Sequence, residues 1–333
     1  MKILILGDVH WSCYSSIVRK RDKKYSVRLQ NLINSLNWVQ EQSKENNCEA
    51  LICLGDFFDK CDLNSEEITA LLDVKWNHDI DQYYIVGNHE SPIATLEYNS
   101  TNALESLGFK VISKVTTTNI GNKKVVFLPY IKEESRKTIA DYKKELGILN
   151  NDIVICSHND LKDVQYGGFL SKEGFSIDDI TKNCKYYFNG HLHNSAFIVN
   201  DDNCRLFNVG NITGQNFTED ANIYDHHICI YDTIDNSITV IENPYAMNFY
   251  KLEIESENQI NNLYNLKNNA VVTIKCNENY LERVKQIVSE LHNIIEYRII
   301  ITYNKVDIDV TNSVQLNDIN HLELFNNFIL DTL

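Results

Sequence analysis

Five short polar segments in this sequence carry residues that can bind metal ions, and each directly follows an apolar run. They are Gly7-Asp8-Val9-His10, Gly55-Asp56-Phe57-Phe58-Asp59, Gly87-Asn88-His89-Glu90, Ser157-His158 and Gly190-His191-Leu192-His193. Carboxylate and amide oxygens together with imidazole nitrogens suit divalent ions, above all Mn²⁺, with Mg²⁺, Fe²⁺ and Zn²⁺ as alternatives. Because the carboxyl ends of strands in an open α/β sheet converge on one crevice, we expect these segments to meet there.

The spacing within these segments fits a pair of ions. Asp8 and His10 are two residues apart, so their side chains face the same way in extended backbone. His191 and His193 share that spacing. One carboxylate, here Asp56, can bridge two ions about 3.5–4 Å apart, the separation used in phosphoryl chemistry. Each motif alone is weak evidence for a metal site. All five in this order would have a purely structural role in fewer than roughly one case in twenty.

The elements that must position these residues alternate between buried strands and amphipathic helices. The predicted strands are Lys2–Leu6, Ala50–Leu54, Tyr83–Val86, Lys124–Leu128, Ile153–Cys156, Tyr186–Phe188, Ala196–Val199, Arg205–Val209, His227–Tyr231 and Ser237–Glu242. The predicted helices are Val27–Lys44, one that opens at Ser65 with Ser65 or Asn64 as its cap, and Glu133–Leu146. This order predicts a two-sheet α/β sandwich.

A second, smaller domain is expected after Asn243-Pro244, because proline stops a strand and the pattern changes there. The predicted domains are residues 1–243, which carry the metal motifs, and residues 244–333, a small α+β unit. Its elements are two strands, a helix and a strand, at Phe249–Ile254, Val271–Lys275, Tyr280–His292 and Tyr297–Thr302. His321–Leu333 forms a final amphipathic stretch.

Composition places the chain among ordinary globular proteins, with 43% apolar and 23% charged residues. No apolar run approaches the roughly 20 residues of a membrane span, so we expect a cytoplasmic protein without membrane contact. The nine cysteines form no C-x-x-C pair and are expected to be buried free thiols. The net charge of −15 argues against coating nucleic acid by bulk electrostatics, although it leaves a nuclease open.

The motif order D-x-H, G-D-x-x-D, G-N-H-E, S-H and G-H-x-H resembles the calcineurin-like metallophosphoesterase superfamily from Met1 to about Glu242. The resemblance implies that the first ion is held by Asp8, His10, Asp56 and His193, and the second by Asp56, Asn88, His158 and His191. It further implies that His89 donates a proton toward the leaving oxygen and that Glu90 orients His89. A metal-activated water would attack the phosphorus in line.

Within that superfamily the chain resembles the SbcD and meiotic-recombination-eleven nucleases. Three features carry this resemblance: the insertion before Ala50, the segment Val126-Phe127-Leu128-Pro129-Tyr130, and the segment after Pro244. Asp59-Lys60-Cys61 lacks the Arg-Gly of the protein phosphatases. The resemblance implies a Mn²⁺-dependent 3′→5′ exonuclease and endonuclease at DNA ends, with a capping domain that helps hold DNA. Its subunits would form homodimers and associate with an SMC-like ABC ATPase. The chain is similar to compact bacterial or bacteriophage members, the latter acting in the host cytoplasm. Asp59 is predicted to belong to the catalytic site. We expect it to support the metal ligands, and neither to bind an ion itself nor to serve as the catalytic acid.

DNA contacts are expected from a basic loop, with a solvated turn as the alternative interpretation; the loop comprises Arg19, Lys20, Arg21, Lys23 and Lys24. A weaker basic cluster comprises Lys132, Arg136 and Lys137. Residues 244–333 contain seven Lys/Arg and twelve Asp/Glu, a net of 7 − 12 = −5, so the second domain is no basic platform. Two alternatives stay open: a phosphodiesterase for nucleotides or other small phosphoesters, and a scaffold subunit that recruits the ATPase to DNA.

Overall fold

The computed structural model describes residues 1–91, 99–166 and 169–303 of the 333-residue chain. The strands in chain order are β1 (Lys2–Leu6), β2 (Cys48–Cys53), β3 (Asp81–Ile85), β4 (Lys110–Ile112), β5 (Thr116–Ile120), β6 (Lys123–Leu128), β7 (Ile153–Ser157), β8 (Leu161–Lys162), β9 (Gln165–Tyr166), β10 (Phe169–Leu170), β11 (Phe175–Ser176), β12 (Tyr186–Asn189), β13 (Ala196–Asn200), β14 (Arg205–Asn208), β15 (His227–Asp232), β16 (Ile238–Glu242), β17 (Asn248–Ile254), β18 (Ala270–Asn277) and β19 (Ile294–Thr302). The α-helices are α1 (Val27–Glu45), α2 (Ser65–Leu72), α3 (Asn102–Glu105), α4 (Ile139–Glu145), α5 (Ile177–Asn183) and α6 (Leu281–Glu290).

Two six-stranded sheets form the body of the molecule, which confirms the predicted α/β sandwich. The first has the order β16-β15-β1-β2-β3-β4, and the second β13-β14-β12-β7-β6-β5. The central strands β1, β2 and β3 run parallel, as do β6, β7, β12 and β14. Their carboxyl ends therefore lie at one edge of each sheet, and the loops after β1, β2, β3, β7 and β12 carry the five metal motifs.

Alternation along the strands divides the apolar residues into three layers. Ile3, Ile52 and Phe127 belong to the layer between the two sheets. The opposite side of the first sheet packs against α1, where Leu29, Leu32 and Leu36 recur at helical spacing, and α4 and α5 cover the second sheet. The sheets thus bury both faces, and polar side chains are left at the strand ends.

Local capping explains where the helices begin. The side chain of Ser26 accepts a hydrogen bond from Leu29 N at the start of α1. Asn64, not Ser65, caps α2, within a capping box that includes Glu67. The predicted helix Glu133–Leu146 is wrong in its first part. Only a 3₁₀ turn spans Glu133–Ser135, and α4 starts after Thr138, whose side chain caps it.

The C-terminal unit has the predicted order of two strands, a helix and a strand. Strands β17, β18 and β19 form a parallel three-stranded sheet. α6 packs on one face of this sheet, and a 3₁₀ segment, Glu257–Asn265, which was not predicted, joins it there. The other face contacts the loop after β1 through Val18, Met247, Phe249 and Val271. The boundary at Asn243-Pro244 stays a prediction, and the stretch His321–Leu333 lies outside the described residues.

Candidate metal centre

Tight loop geometry brings the metal motifs together at the carboxyl ends of the strands. His10, Asp56 and His191 have φ values of 49°, 43° and 71°, in the left-handed region that non-glycine residues rarely adopt. A Cβ on Gly87 would lie 2.1 Å from Asp56 Oδ1, so only glycine permits this approach. Strained backbone of this kind is typical of sites whose function requires a fixed geometry.

The first of two ligand clusters contains Asp8, His10, Asp56 and His193. Nε2 of His10 lies 3.1 Å from Nε2 of His193, and each of these atoms lies 3.8 Å from Asp8 Oδ2. Asp56 Oδ2 is 4.0 Å from His10 Nε2. Asp8 Oδ2 is buried without a hydrogen-bond partner among the described residues. A buried carboxylate oxygen needs a partner, and a cation at the centre of this cluster would supply it.

The second cluster contains Asp56, Asn88, His158 and His191. Asn88 Oδ1 lies 3.1 Å from His158 Nε2 and 2.9 Å from His191 Nδ1. Asp56 Oδ2 lies 3.2 Å from the same His158 nitrogen. Because Asp56 Oδ2 faces both clusters while Oδ1 accepts from His89 N, this carboxylate is placed to bridge two ions. The seven residues predicted as ligands thus fit a dinuclear centre.

Each of the four histidines has its second ring nitrogen engaged by an acceptor. The pairs are His10 Nδ1 with Asp59 Oδ1 (3.1 Å), His158 Nδ1 with Leu54 O (3.0 Å), His191 Nε2 with Asp160 Oδ1 (3.2 Å) and His193 Nδ1 with Glu219 Oε1 (2.6 Å). Such bonds fix the tautomer and leave the other nitrogen free for a metal. Asp59 thus contacts His10 on the side away from the first cluster, and its role outside the ligand set stays a prediction.

Asp160 and Glu219 were not among the site residues predicted from the sequence. Asp160 lies two residues after His158, so the alternation used for the other motifs could have found it. Glu219 offers no such signal, because it lies in the loop between β14 and β15, far from any buried strand. It is 1% exposed, and its Oε2 accepts from Gln215 N at 2.7 Å. Burial raises the pKa of Glu219, but bonding to His193 outweighs it and leaves the pKa lowered.

His89 and Glu90 have separate roles. The His89 side chain is 44% exposed, its Nδ1 donates to Asp59 O at 3.0 Å, and its ring lies 4.8 Å from that of His10. Glu90 was expected to orient His89, but its carboxylate accepts from Phe58 N at 3.0 Å and Gly87 N at 2.7 Å. Glu90 thus ties the second motif loop to the third, and the backbone of Asp59 orients His89.

The buried charges favour cation binding. Burial opposes ionisation of Asp56, but attraction to His158 outweighs it and lowers the pKa of this carboxyl. Burial likewise opposes the charge on His10, but its hydrogen bond to Asp59 and the nearby negative charges of Asp8 and Asp56 raise its pKa to about 10. The pKa of His158 rises to about 9, mainly because Asp56 and Asp8 outweigh burial. Without metal the carboxylates hold protons on these imidazoles, so incoming ions must displace protons.

The predicted basic loop is largely paired within the protein. Arg21 Nη2 lies 3.0 Å from Glu66 Oε2, and Lys24 Nζ lies 2.5 Å from Asp73 Oδ2. Lys20 donates to Ile295 O of the C-terminal sheet, Arg19 donates to Ser16 O at 3.2 Å, and the Lys23 side chain is exposed. In the weaker cluster Arg136 pairs with Glu133 and Lys137 with Glu145, whereas Lys132 is exposed. Pairing reduces the charge that these residues offer to DNA.

Two cavities adjoin the loop after β1. The first, about 210 Å³, lies beside the first cluster and is lined by His10, Asp59, Arg28, Ser15 and Gln215, among others. The second, about 360 Å³, lies between this loop and the C-terminal sheet, with Arg19, Phe217, Tyr297 and Arg298 in its wall. Ser16 lines both cavities, so the two lie next to each other along the loop after β1.

A two-sheet α/β sandwich with a dinuclear ligand set at its strand ends defines a metal-dependent phosphoester hydrolase. Residues 1–195 match the family described as calcineurin-like phosphoesterase, and the chain belongs to that family. No curated protein matches the sequence significantly.

Two solved structures are similar to this chain. A novel archaeal phosphodiesterase is 16% identical, with a TM-score of 0.39, over 73% of this chain and 99% of that chain. A dimetal phosphatase from Danio rerio is 12% identical, with a TM-score of 0.44, over 73% of this chain and 95% of that chain. Both likenesses are too distant to bear on the substrate.

Other expectations from the sequence concern the cysteines and the membrane. All nine cysteines are free, and all but Cys13 and Cys61 are buried, as predicted. Among the described helices none combines the length and the apolar character that a membrane span requires.

Proposed function

We propose that this metallophosphoesterase is a DNA nuclease that hydrolyses phosphodiesters at DNA ends with two divalent ions, most readily Mn²⁺. The observation that carries the proposal is the pair of neighbouring cavities that share Ser16, one beside the metal ligands and one against the C-terminal sheet. A small-molecule esterase needs an enclosed pocket, whereas a nuclease needs a path for a strand. The resemblance to the SbcD nucleases, which have a capping domain after the phosphoesterase domain, supports the same function.

The residues present fit the two ions that this chemistry requires. Asp8, His10 and His193 would hold one ion, Asn88, His158 and His191 the other, and Asp56 both. When bound, the ions would supply Lewis acidity, which would polarise the phosphoryl oxygens and activate a water molecule as the nucleophile.

The protein's own groups perform the remaining tasks. His89 lies beside the first cluster with Nδ1 donating to Asp59 O, so Nε2 is the nitrogen left to act on the leaving oxygen. Asp59 holds both His89 and His10 and thereby couples the proton donor to the ligand set. Glu90 keeps the two loops in register, because it accepts from the backbone of each.

The test is digestion of end-labelled DNA by the wild-type protein and by His89→Ala, with Mn²⁺, Mg²⁺ or EDTA. We expect shortening that requires Mn²⁺ and falls by about 10²- to 10⁴-fold in the variant, since one proton donor is lost. Metal content should be unchanged, because His89 is not a ligand. Intact DNA beside rapid hydrolysis of bis-p-nitrophenyl phosphate would contradict the nuclease and favour the small-phosphodiester alternative. The digestion is repeated in the presence of the SMC-like ABC ATPase.

We further propose that the nuclease acts in the cytoplasm as a homodimer, together with an SMC-like ABC ATPase. The resemblance to the SbcD family supports both associations, and the free thiols fit a reducing compartment. Co-purification with the ATPase encoded in the same genome tests the second association. We propose that the ATPase docks on the amphipathic stretch His321–Leu333. Deletion of Asn320–Leu333 should then abolish co-purification without unfolding the protein, and retained binding would contradict docking there. Sedimentation of the purified protein tests the dimer.

A further inference from the structure

Arg28, in the first turn of α1, is a buried cation in the wall of the 210 Å³ cavity. It is 4% exposed, and Nη1 donates to Gly214 O at 2.7 Å. A guanidinium carries five N–H donors in a planar fork, so this single bond uses a small part of its capacity. Arg28 therefore has donors to offer to a group inside the cavity.

The carboxylates near Arg28 are engaged elsewhere. Burial opposes the charge of Arg28, and Glu219 and Asp59 attract it electrostatically. Both of these carboxylates hydrogen-bond to metal-site histidines instead, Asp59 to His10 and Glu219 to His193. Glu219 and Asp59 thus compensate the buried charge of Arg28 electrostatically. The hydrogen bond of Arg28, however, goes to a backbone carbonyl, so donors of the guanidinium are left for an anion in the cavity.

A second unsatisfied donor lines the same cavity. Nε2 of Gln215 is buried and has no hydrogen-bond partner in the described part of the chain. Ser15 Oγ accepts from Ile17 N at 3.2 Å and Val18 N at 3.0 Å, so its hydroxyl hydrogen is left to donate. The lining residues thus carry a guanidinium, an amide and a hydroxyl, which together suit the oxygens of a phosphate. The cavity volume of about 210 Å³ is smaller than the roughly 300–1,000 Å³ of pockets that hold a whole small-molecule ligand, so this cavity suits only one group of a larger substrate.

The position of the cavity identifies which phosphate it would take. His10 and Asp59 form part of its wall, and His89, the proton donor for the leaving oxygen, lies against both residues. The cavity therefore adjoins the leaving-group side of the reaction. We propose that Arg28 and Gln215 bind the phosphate next to the scissile one on the leaving-group side, so that the site prefers a polynucleotide to an isolated phosphodiester. This inference rests on the proposed nuclease function.

The experiment compares kcat/KM for thymidine dinucleotide, which has one phosphodiester, with that for the trinucleotide, which has two. We expect the wild-type protein with Mn²⁺ to favour the trinucleotide by about tenfold or more, and Arg28→Gln to bring this ratio close to one. Gln215→Ala should lower the ratio partly, and Arg28→Lys, which keeps the charge but not the fork, should retain part of it. The ratio is insensitive to misfolding or metal loss, because these lower both rates alike.

Arg205→Gln is the matched control, since Arg205 Nη1 also donates to a backbone carbonyl, that of Asn236, but lies outside the cavity wall. The inference is overturned if Arg28→Gln and Gln215→Ala keep the wild-type ratio, or if the wild-type protein cleaves both substrates equally. In either case the nuclease function would stand. A wild-type protein that cleaves neither substrate but hydrolyses bis-p-nitrophenyl phosphate would overturn the nuclease function together with this inference.

Discussion

The Nε2 atoms of His10 and His193 lie 3.1 Å apart, although the residues are far apart in the chain. The Nδ1 atoms of both rings face carboxylates, those of Asp59 and Glu219, and are thereby set as donors. Two imidazole lone pairs directed at each other would repel unless a cation lies between them. In the metal-free protein a proton on His10 can provide this positive charge, which is consistent with its pKa of about 10. A metal ion would replace that proton.

His193→Ala should therefore remove one ion of the pair. After saturation with Mn²⁺ and desalting, we expect the wild-type protein to retain about two ions per chain and the variant about one, because a ligand of only the first cluster is lost. Inductively coupled plasma mass spectrometry measures the content. His292→Ala, which removes an exposed histidine far from the motifs, should retain both ions. Two ions in His193→Ala would contradict the ligand assignment.

Glu219→Gln should weaken binding of the first ion and leave the second unaffected. The amide removes the charge that holds His193 in its orientation, and losses of such partners typically weaken metal binding about 10- to 100-fold. Asp160→Asn should have the corresponding effect on the second ion through His191. Competition with a fluorescent Mn²⁺ chelator measures both affinities. Glu282→Gln, at a residue whose side chain is 86% exposed, serves as the control. Unchanged affinities would show that these carboxylates do not position the histidines.

The ligands could be predicted from the sequence because their signal is local. Each motif follows a buried strand directly, so the converging strand ends bring the motifs together. The side chains themselves do not follow strand alternation, because His10 and His191 have left-handed backbone, with φ values of 49° and 71°. Glu219 and Arg28 could not be predicted, since a loop and a helix bring them to the site only through the tertiary fold. The helix predicted to start at Glu133 starts later because the Thr138 side chain caps it, by accepting a hydrogen bond from Asp141 N. The strands β4 and β5 were missed because they are short and only partly apolar.

Glu90→Ala should destabilise the fold, because the carboxylate satisfies two buried backbone donors, Gly87 N and Phe58 N. Each buried N–H without a partner costs about 1–3 kcal/mol, so we expect a loss of roughly 3 kcal/mol in the free energy of unfolding. Urea denaturation of the metal-free protein measures it. Glu90→Gln keeps one acceptor and should lose less. Full stability in Glu90→Ala, with a changed pH profile of hydrolysis, would instead support the role of Glu90 in orienting His89.

His227 should make the protein less stable in mild acid. Its side chain is buried, its Nε2 lies 2.8 Å from Ser195 Oγ, and its ring stacks on Phe207. Burial lowers its pKa from 6.5 to about 4, with a smaller contribution from His226, while Asp225 and Glu242 act in the opposite direction. Between pH 6.5 and about 4, His227 therefore binds more protons in the unfolded chain than in the folded protein. The stabilisation is complete above pH 6.5 and is lost as the pH falls toward 4, by about 3 kcal/mol at most.

His227→Gln isolates this contribution from the other titrating groups, because glutamine keeps a polar side chain and does not ionise in this range. We expect urea denaturation in EDTA to show a smaller drop in unfolding free energy for the variant than for the wild-type protein between pH 7 and 5. EDTA keeps metal binding, which also depends on protons, out of the comparison. If the two proteins lose stability in parallel over this interval, His227 does not titrate with a lowered pKa.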